Sequence, residues 1–190
     1  GPTVAVAAPA NRDAVAVIIG NKDYRHGDIP TVDFAHGDAD AIRRYVTEGL
    51  GFRGQNIIDL RDATQTEMTS AFGNATDHKG LLWRRVREGL SDVVVFYSGH
   101  GMPGLTDGEA YLLPVNADPA TAAINGYPLE VLYANLAKLD ARSVLVLIEA
   151  CFSGFSHAGT LFPESMVPVR PAESTSAPPG LTVLTAAGPD

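Results

Sequence analysis

Four short apolar runs limit what this chain can fold into: residues 14–19 (AVAVII), 93–97 (VVVFY), 144–148 (VLVLI) and 181–184 (LTVL). Each has the length of a strand and falls short of a buried helix. The first three are rich in Val and Ile and nearly free of polar residues, which suits strands covered on both faces of a parallel sheet. Residues 56–60 are a weaker fifth candidate. Between the runs the periodicity turns helical. Ala39, Ile42 and Val46 recur at helical spacing over residues 38–50, and Gly49 and Gly51 stop that pattern. Thr64 and Glu67 form a capping box, from which a helix should bury Met68 and Phe72. Pro128 suits a first helical turn, with Leu129, Leu132 and Leu136 on one face. Strands alternating with helices predict a doubly wound α/β domain.

A length of 190 residues fits one such domain, and 45% hydrophobic with 19% charged residues is globular composition. The net charge of −8 argues against a nucleic-acid or anionic-membrane surface and suits basic ligands. No apolar run approaches the roughly 20 residues of a membrane span. Gly1-Pro2 reads as the remnant of a removed tag and residues 3–10 as an Ala-rich linker, so residues 1–12 are set apart from a domain at 13–190. Localisation is not readable from such a start. The single cysteine excludes an internal disulfide and a cysteine-rich zinc site.

Two stretches read as irregular, residues 101–109 and residues 155–180, the second with five prolines and expected to be mobile. Open parallel sheets bind ligands beyond the carboxyl ends of their strands. His100 and Cys151 each stand just past such an end. A thiol nucleophile needs a partner for its proton and donors for a developing oxyanion. Ser98-Gly99-His100-Gly101 offers an imidazole between two glycines, which let the main chain approach a ligand closely. Glu149-Ala150-Cys151 offers the thiol, with His100 about 50 residues before it, as in caspase-type patterns.

On these residues the chain resembles the caspase-like clan CD cysteine peptidases, and within them the bacterial metacaspase or orthocaspase branch. The matching segments run almost end to end: AVIIGNKDY (16–24), GDADAI (37–42), DVVVFYSGHG (92–101), AYLLPVNAD (110–118), VLVLIEACFSG (144–154) and LTVLTAAGPD (181–190). The resemblance implies a three-layer caspase-like sandwich and a His-Cys dyad. Cys151 would be the nucleophile and His100 its acid/base partner, with the backbone N–H groups of Cys151 and Gly101 as the oxyanion hole. It also implies a primary pocket lined by Asp38, Ser98 and Glu149, and cleavage of protein or peptide substrates after Arg or Lys. A guanidinium can engage both carboxylates. Asp38 also reads as a helix N-cap, and the two roles are compatible.

Two features depart from that branch. Glu149 stands where it usually has Asp; this could favour Lys over Arg, leave the preference unchanged, or impair cleavage. The caspase-like sheet has a sixth strand, which the sequence as given does not reach, so a C-terminal segment or separate domain is expected to complete it. Some metacaspases need calcium, but Asp107, Glu109 and Asp118 are scattered, and no metal or other cofactor is assigned. His26, His36, His78 and His157 lack ligand spacing, and His157 is expected on a helix surface. Two other readings stand beside the endopeptidase. One is a catalytically impaired caspase-like pseudoprotease or regulatory domain. The other is a flavodoxin-like nucleotide module, which the lack of a phosphate-loop motif disfavours.

Relatives of this kind often cut themselves after the catalytic cysteine. Arg170 is the one Lys or Arg between Cys151 and Leu181, and Pro171 follows it. Proline lacks an N–H and restricts the residue before it. Mass spectrometry of the incubated protein should show no fragment beginning at Pro171.

Overall fold

The computed structural model describes residues 9–103, 109–150, 155–156, 159–160 and 179–186. The apolar runs become strands β1 (Val15–Gly20), β2 (Ile57–Arg61) and β3 (Asp92–Ser98). Three short strands follow, β4 (Gly101–Pro103), β5 (Ala110–Leu112) and β6 (Tyr127–Pro128). Next come β7 (Ser143–Glu149), the two-residue β8 (Phe155–Ser156) and β9 (Gly159–Thr160), and β10 (Leu181–Ala186). The main sheet has the order β10-β7-β3-β1-β2, with every pair parallel. The chain starts in β1, steps one way to β2, then returns past β1 to build the other side. The direction therefore reverses between β1 and β3, where a doubly wound sheet opens a crevice.

Alternation along the strands assigns each residue to a face. Val15, Val17 and Ile19 of β1 join Val93 and Val95 of β3 in one core. Helices α2 (Gln65–Phe72), α3 (Leu81–Arg85) and α4 (Leu129–Leu136) cover it with Met68, Phe72, Leu82, Leu132 and Leu136. Ala16, Ile18, Val94 and Phe96 point the other way, under Ala39 of α1 (Ala35–Arg44) and Val46 just beyond it. Each fully buried Val or Ile contributes about 1.5–3 kcal/mol, and β1 is buried along its whole length. The result is an α/β sandwich whose mainly parallel sheet is flanked by helices.

Three local expectations are revised. Helix α1 begins at Ala35 and its N-cap, Phe34, makes no side-chain cap, so Asp38 lies inside the first turn instead of capping it. The helix passes into a π-helical turn at Tyr45–Gly49. A Cβ on Gly20 would lie 2.6 Å from the Ala35 carbonyl, so this glycine lets α1 start hard against the end of β1. Residues 101–103 are not irregular: β4 pairs antiparallel with β5, and β5 with β6, as a small second sheet. The register matches Gly101 with Leu112, and hydrophobic Met102, Tyr111 and Leu112 are buried there. Within 155–180, β8 and β9 pair antiparallel. His157 lies outside the described residues. Among the described residues no helix is long and apolar enough to cross a membrane.

The capping box forms in full: the Thr64 hydroxyl accepts from the Glu67 N–H, and the Glu67 carboxylate accepts from the Thr64 N–H at 2.8 Å. Thr64→Ala should lower stability by about 1 kcal/mol in denaturant unfolding, whereas exposed Thr66→Ala should stay within about 0.5 kcal/mol of the parent.

Candidate active site

Three neighbouring strands end in step. Gly20 of β1 is in register with Ser98 of β3, and Ser98 with Glu149 of β7. The ladder runs one bond further, from the Gly99 N–H to the Glu149 carbonyl at 3.2 Å. Strand alternation continues to this row. Phe96 and Leu147 face α1, so Ser98 and Glu149, two residues on, face α1 as well. Asp38 on the first turn of α1 meets them there and shares a hydrogen bond with the Glu149 carboxyl. Partial burial of its carboxyl and the neighbouring Asp38 together push Glu149 above the usual carboxyl range. The structure thus brings Asp38, Ser98 and Glu149 together; Ser98 is buried, while Glu149 is open to solvent.

His100 follows immediately and is buried, 3% exposed. Its Nε2 lies 2.7 Å from the Pro30 carbonyl. A carbonyl can only accept, so the ring carries a proton on Nε2, and Nδ1 is left as the acceptor in the neutral imidazole. Burial pulls the His100 pKa below its ordinary value, partly opposed by the Pro30 bond. The ring also packs on Tyr24, with centroids 4.9 Å apart.

The His100 peptide is gripped from both sides. Its N–H donates to the Tyr24 hydroxyl at 2.8 Å, and its carbonyl accepts from the Tyr97 hydroxyl at 2.7 Å. Tyr24 and Tyr97 are themselves hydrogen-bonded. Because Tyr97 spends its proton on carbonyls, Tyr24 donates to Tyr97, and the bonds form a closed ring that starts and ends on His100. Burial pushes both phenols well above their ordinary pKa, which keeps them neutral. This changes the reading of Gly99. A Cβ there would lie 2.7 Å from the Tyr97 hydroxyl and 2.9 Å from that of Tyr24, so the missing side chain makes room for two tyrosines. Below the ring, buried Asn21 ties the strand ends together. Its N–H donates to the Ser98 carbonyl, its Oδ1 accepts from the Ala63 N–H, and its Nδ2 donates to the Leu113 carbonyl.

Gly101 opens β4 and is buried. Cys151 lies outside the described residues; the last residue before it, Ala150, is buried. Among the described residues no group of three or more His, Cys, Asp or Glu converges as metal ligands. Asp118 accepts from the Ala120 N–H at a turn, and Asp107 lies outside the described residues. Sequence reasoning missed Pro30, Tyr97 and Asn21. Pro30 acts through a backbone carbonyl, which any residue carries, and the other two act through contacts between distant segments.

Comparison with known proteins agrees with this architecture. A family model described as the caspase domain matches residues 13–183. No curated protein matches the chain. Among solved structures, pro-sf-caspase-1 is 13% identical over 98% of this chain and 66% of its own, with a TM-score of 0.57. Caspase-1 from Spodoptera frugiperda is 12% identical over 100% of this chain and 67% of its own, with a TM-score of 0.53. Protein GSU0716 from Geobacter sulfurreducens is 20% identical over 75% of this chain and 51% of its own, with a TM-score of 0.49. The chain therefore spans about half to two thirds of the length of these structures.

The histidine has a signature in stability. Its folded pKa is below its unfolded value of about 6.5, so the unfolded chain takes up the proton first. The stabilisation is complete above that pH and is lost as pH falls towards the folded value. Glu149 acts in the opposite sense: its raised pKa removes stability as pH rises past the ordinary carboxyl range. Denaturant unfolding from about pH 5 to 7.5 should show the parent losing more stability on the acid side than His100→Asn.

Proposed function

The chain belongs to the caspase-domain family, and from that premise we propose that it is a cysteine endopeptidase of the metacaspase or orthocaspase type, with residues 13–190 as its catalytic domain and cleavage after Arg or Lys. The observation that carries the reading is His100. Buried, neutral and bonded through Nε2 to Pro30, it presents Nδ1 as a proton acceptor two residues beyond Ser98. Ser98 is in register with Glu149, and Cys151 stands two residues beyond Glu149 in sequence. Equal offsets past paired strand ends support a shared site for the imidazole and the thiol.

In this reading Nδ1 of His100 takes the thiol proton as Cys151 Sγ attacks the scissile carbonyl carbon. The backbone N–H groups of Cys151 and Gly101 hold the oxyanion. The C–N bond then breaks, the imidazolium returns its proton to the departing amine, and a thioester remains. Water, deprotonated by His100, releases the acid and restores the thiol. The Pro30 carbonyl does the orienting that a third side chain does in triads.

The hydrogen-bonded Asp38 and Glu149 carboxyls support the basic preference. A Glu149 carboxyl whose proton affinity is raised beside Asp38 gains by receiving a guanidinium or ammonium instead of a proton. Ser98 lies beside them in the ladder. Glu149 carries one more methylene than Asp, which shortens the pocket by roughly 1.5 Å and favours Lys relative to an Asp-bearing pocket.

Peptide substrates ending in Arg or Lys before the scissile bond should be cut and their Asp counterparts spared. Cys151→Ala and His100→Ala should each reduce turnover about a thousandfold or more. Glu149→Asp should raise the Arg-to-Lys ratio of kcat/KM. A folded protein without turnover or labelling by an Arg- or Lys-directed covalent probe would overturn the reading in favour of a regulatory domain.

A further inference from the structure

Asp62, just past β2, is one of two non-glycine residues among those described with positive φ, at 55°. Non-glycine residues adopt that conformation at a cost, and an outlier held in place invites a functional explanation. A local turn does not explain this one, because the partners of the side chain are remote. Its Oδ1 accepts from the Lys22 N–H at 2.8 Å and the Asp23 N–H at 2.9 Å, 40 and 39 residues away in sequence. The same oxygen meets Nε2 of His36 at 3.0 Å, 26 residues away. The Asp62 N–H donates to the Gly20 carbonyl at 2.9 Å, which fixes the carboxylate against the end of β1.

Lys22 and Asp23 open the segment that leads from β1 into α1, and His36 stands just past its close, on the first turn of that helix. One carboxylate oxygen therefore ties both ends of the loop. Inside the loop lie Tyr24, which accepts from the His100 N–H and packs on its ring, and Pro30, whose carbonyl meets His100 Nε2. Asp62 itself makes no hydrogen bond to His100. Everything it does to the imidazole passes through the loop it holds.

We propose that Asp62 is a positioning residue for His100, stapling both ends of the β1–α1 loop so that Tyr24 and Pro30 fix the orientation and the Nε2–H tautomer of the imidazole. Fixing a loop at its base lowers the freedom of everything it carries, and an imidazole whose carbonyl partner wanders loses its tautomer preference. The effect on turnover rests on the endopeptidase reading above; the effect on the imidazole does not.

The test uses Asp62→Gly, which tolerates positive φ and removes the acceptor, and Asp62→Asn, whose amide oxygen can still accept both backbone N–H groups. Long-range nitrogen–proton NMR of the imidazole should show Nε2–H for the parent and Asp62→Asn, and a mixture of tautomers for Asp62→Gly. Peptide turnover should fall on the order of tenfold to a hundredfold in Asp62→Gly and recover in Asp62→Asn. A mixed tautomer in Asp62→Gly, with the parent inactive on every peptide, would support the positioning role and remove the endopeptidase reading. A folded Asp62→Gly that keeps pure Nε2–H would overturn the proposal and leave Asp62 a turn residue. If Asp62→Gly does not fold, His36→Ala carries the test, because it frees one end of the loop; an unchanged His100 spectrum there overturns the proposal equally.

Discussion

The in-step ending of β1, β3 and β7 is the constraint from which the site follows. Gly20, Ser98 and Glu149 form one row across the sheet. A shift of one residue in either pairing would turn the side chains of a whole strand to the opposite face. Ser98 and Glu149 would then no longer meet Asp38 under α1, and Tyr97 would leave the ring that holds His100. Both faces of β1 and β3 are buried, so a slip would be opposed by misfit of size, small Ala16 and its larger neighbours exchanging packed sites.

Much of this was legible from composition along the chain. The runs at 14–19 and 93–97 are strands buried on both sides, whereas 144–148 alternates buried with half-buried residues; the Thr64–Glu67 pair marked the start of α2 because its chemistry is local. Leu129, Leu132 and Leu136 likewise face the core as their spacing implied. The start of α1 was misplaced by three residues because Phe34 carries no capping signal, while Asp38 carries one that the fold uses elsewhere. The β4–β5–β6 sheet escaped notice because strands of two or three residues have no periodicity to read. At the site, residue types at strand ends pointed to His100 and Cys151, and the family resemblance pointed to Asp38, Ser98 and Glu149. What holds the imidazole was not legible: a proline's carbonyl, two tyrosine hydroxyls and a carboxylate on another loop, all joined by contacts that only the fold creates.

The charge of the chain gains meaning by location. Asp92, at the opposite end of β3, is bonded by Arg142, Ser143 and Asn11, and the guanidinium holds its carboxyl well below the usual range. Glu149 has Asp38 beside it instead of a cation among its described contacts, and its proton affinity rises. Acids at one end of the sheet are thus already neutralised, while the pair at the other retains an unmet demand for positive charge.

The hydrogen-bond ring through His100, Tyr24 and Tyr97 has an evolutionary consequence. Its three bonds all run in one sense, and Gly99 is small because two hydroxyls meet above it. A phenylalanine at either tyrosine position breaks the circuit for both. A side chain at position 99 becomes admissible only after both hydroxyls have left and the ring at position 97 has shifted, because its Cζ too would lie 2.9 Å from the new Cβ. Positions 24, 97 and 99 are therefore a single inherited unit, in which loss of one member removes what the others serve.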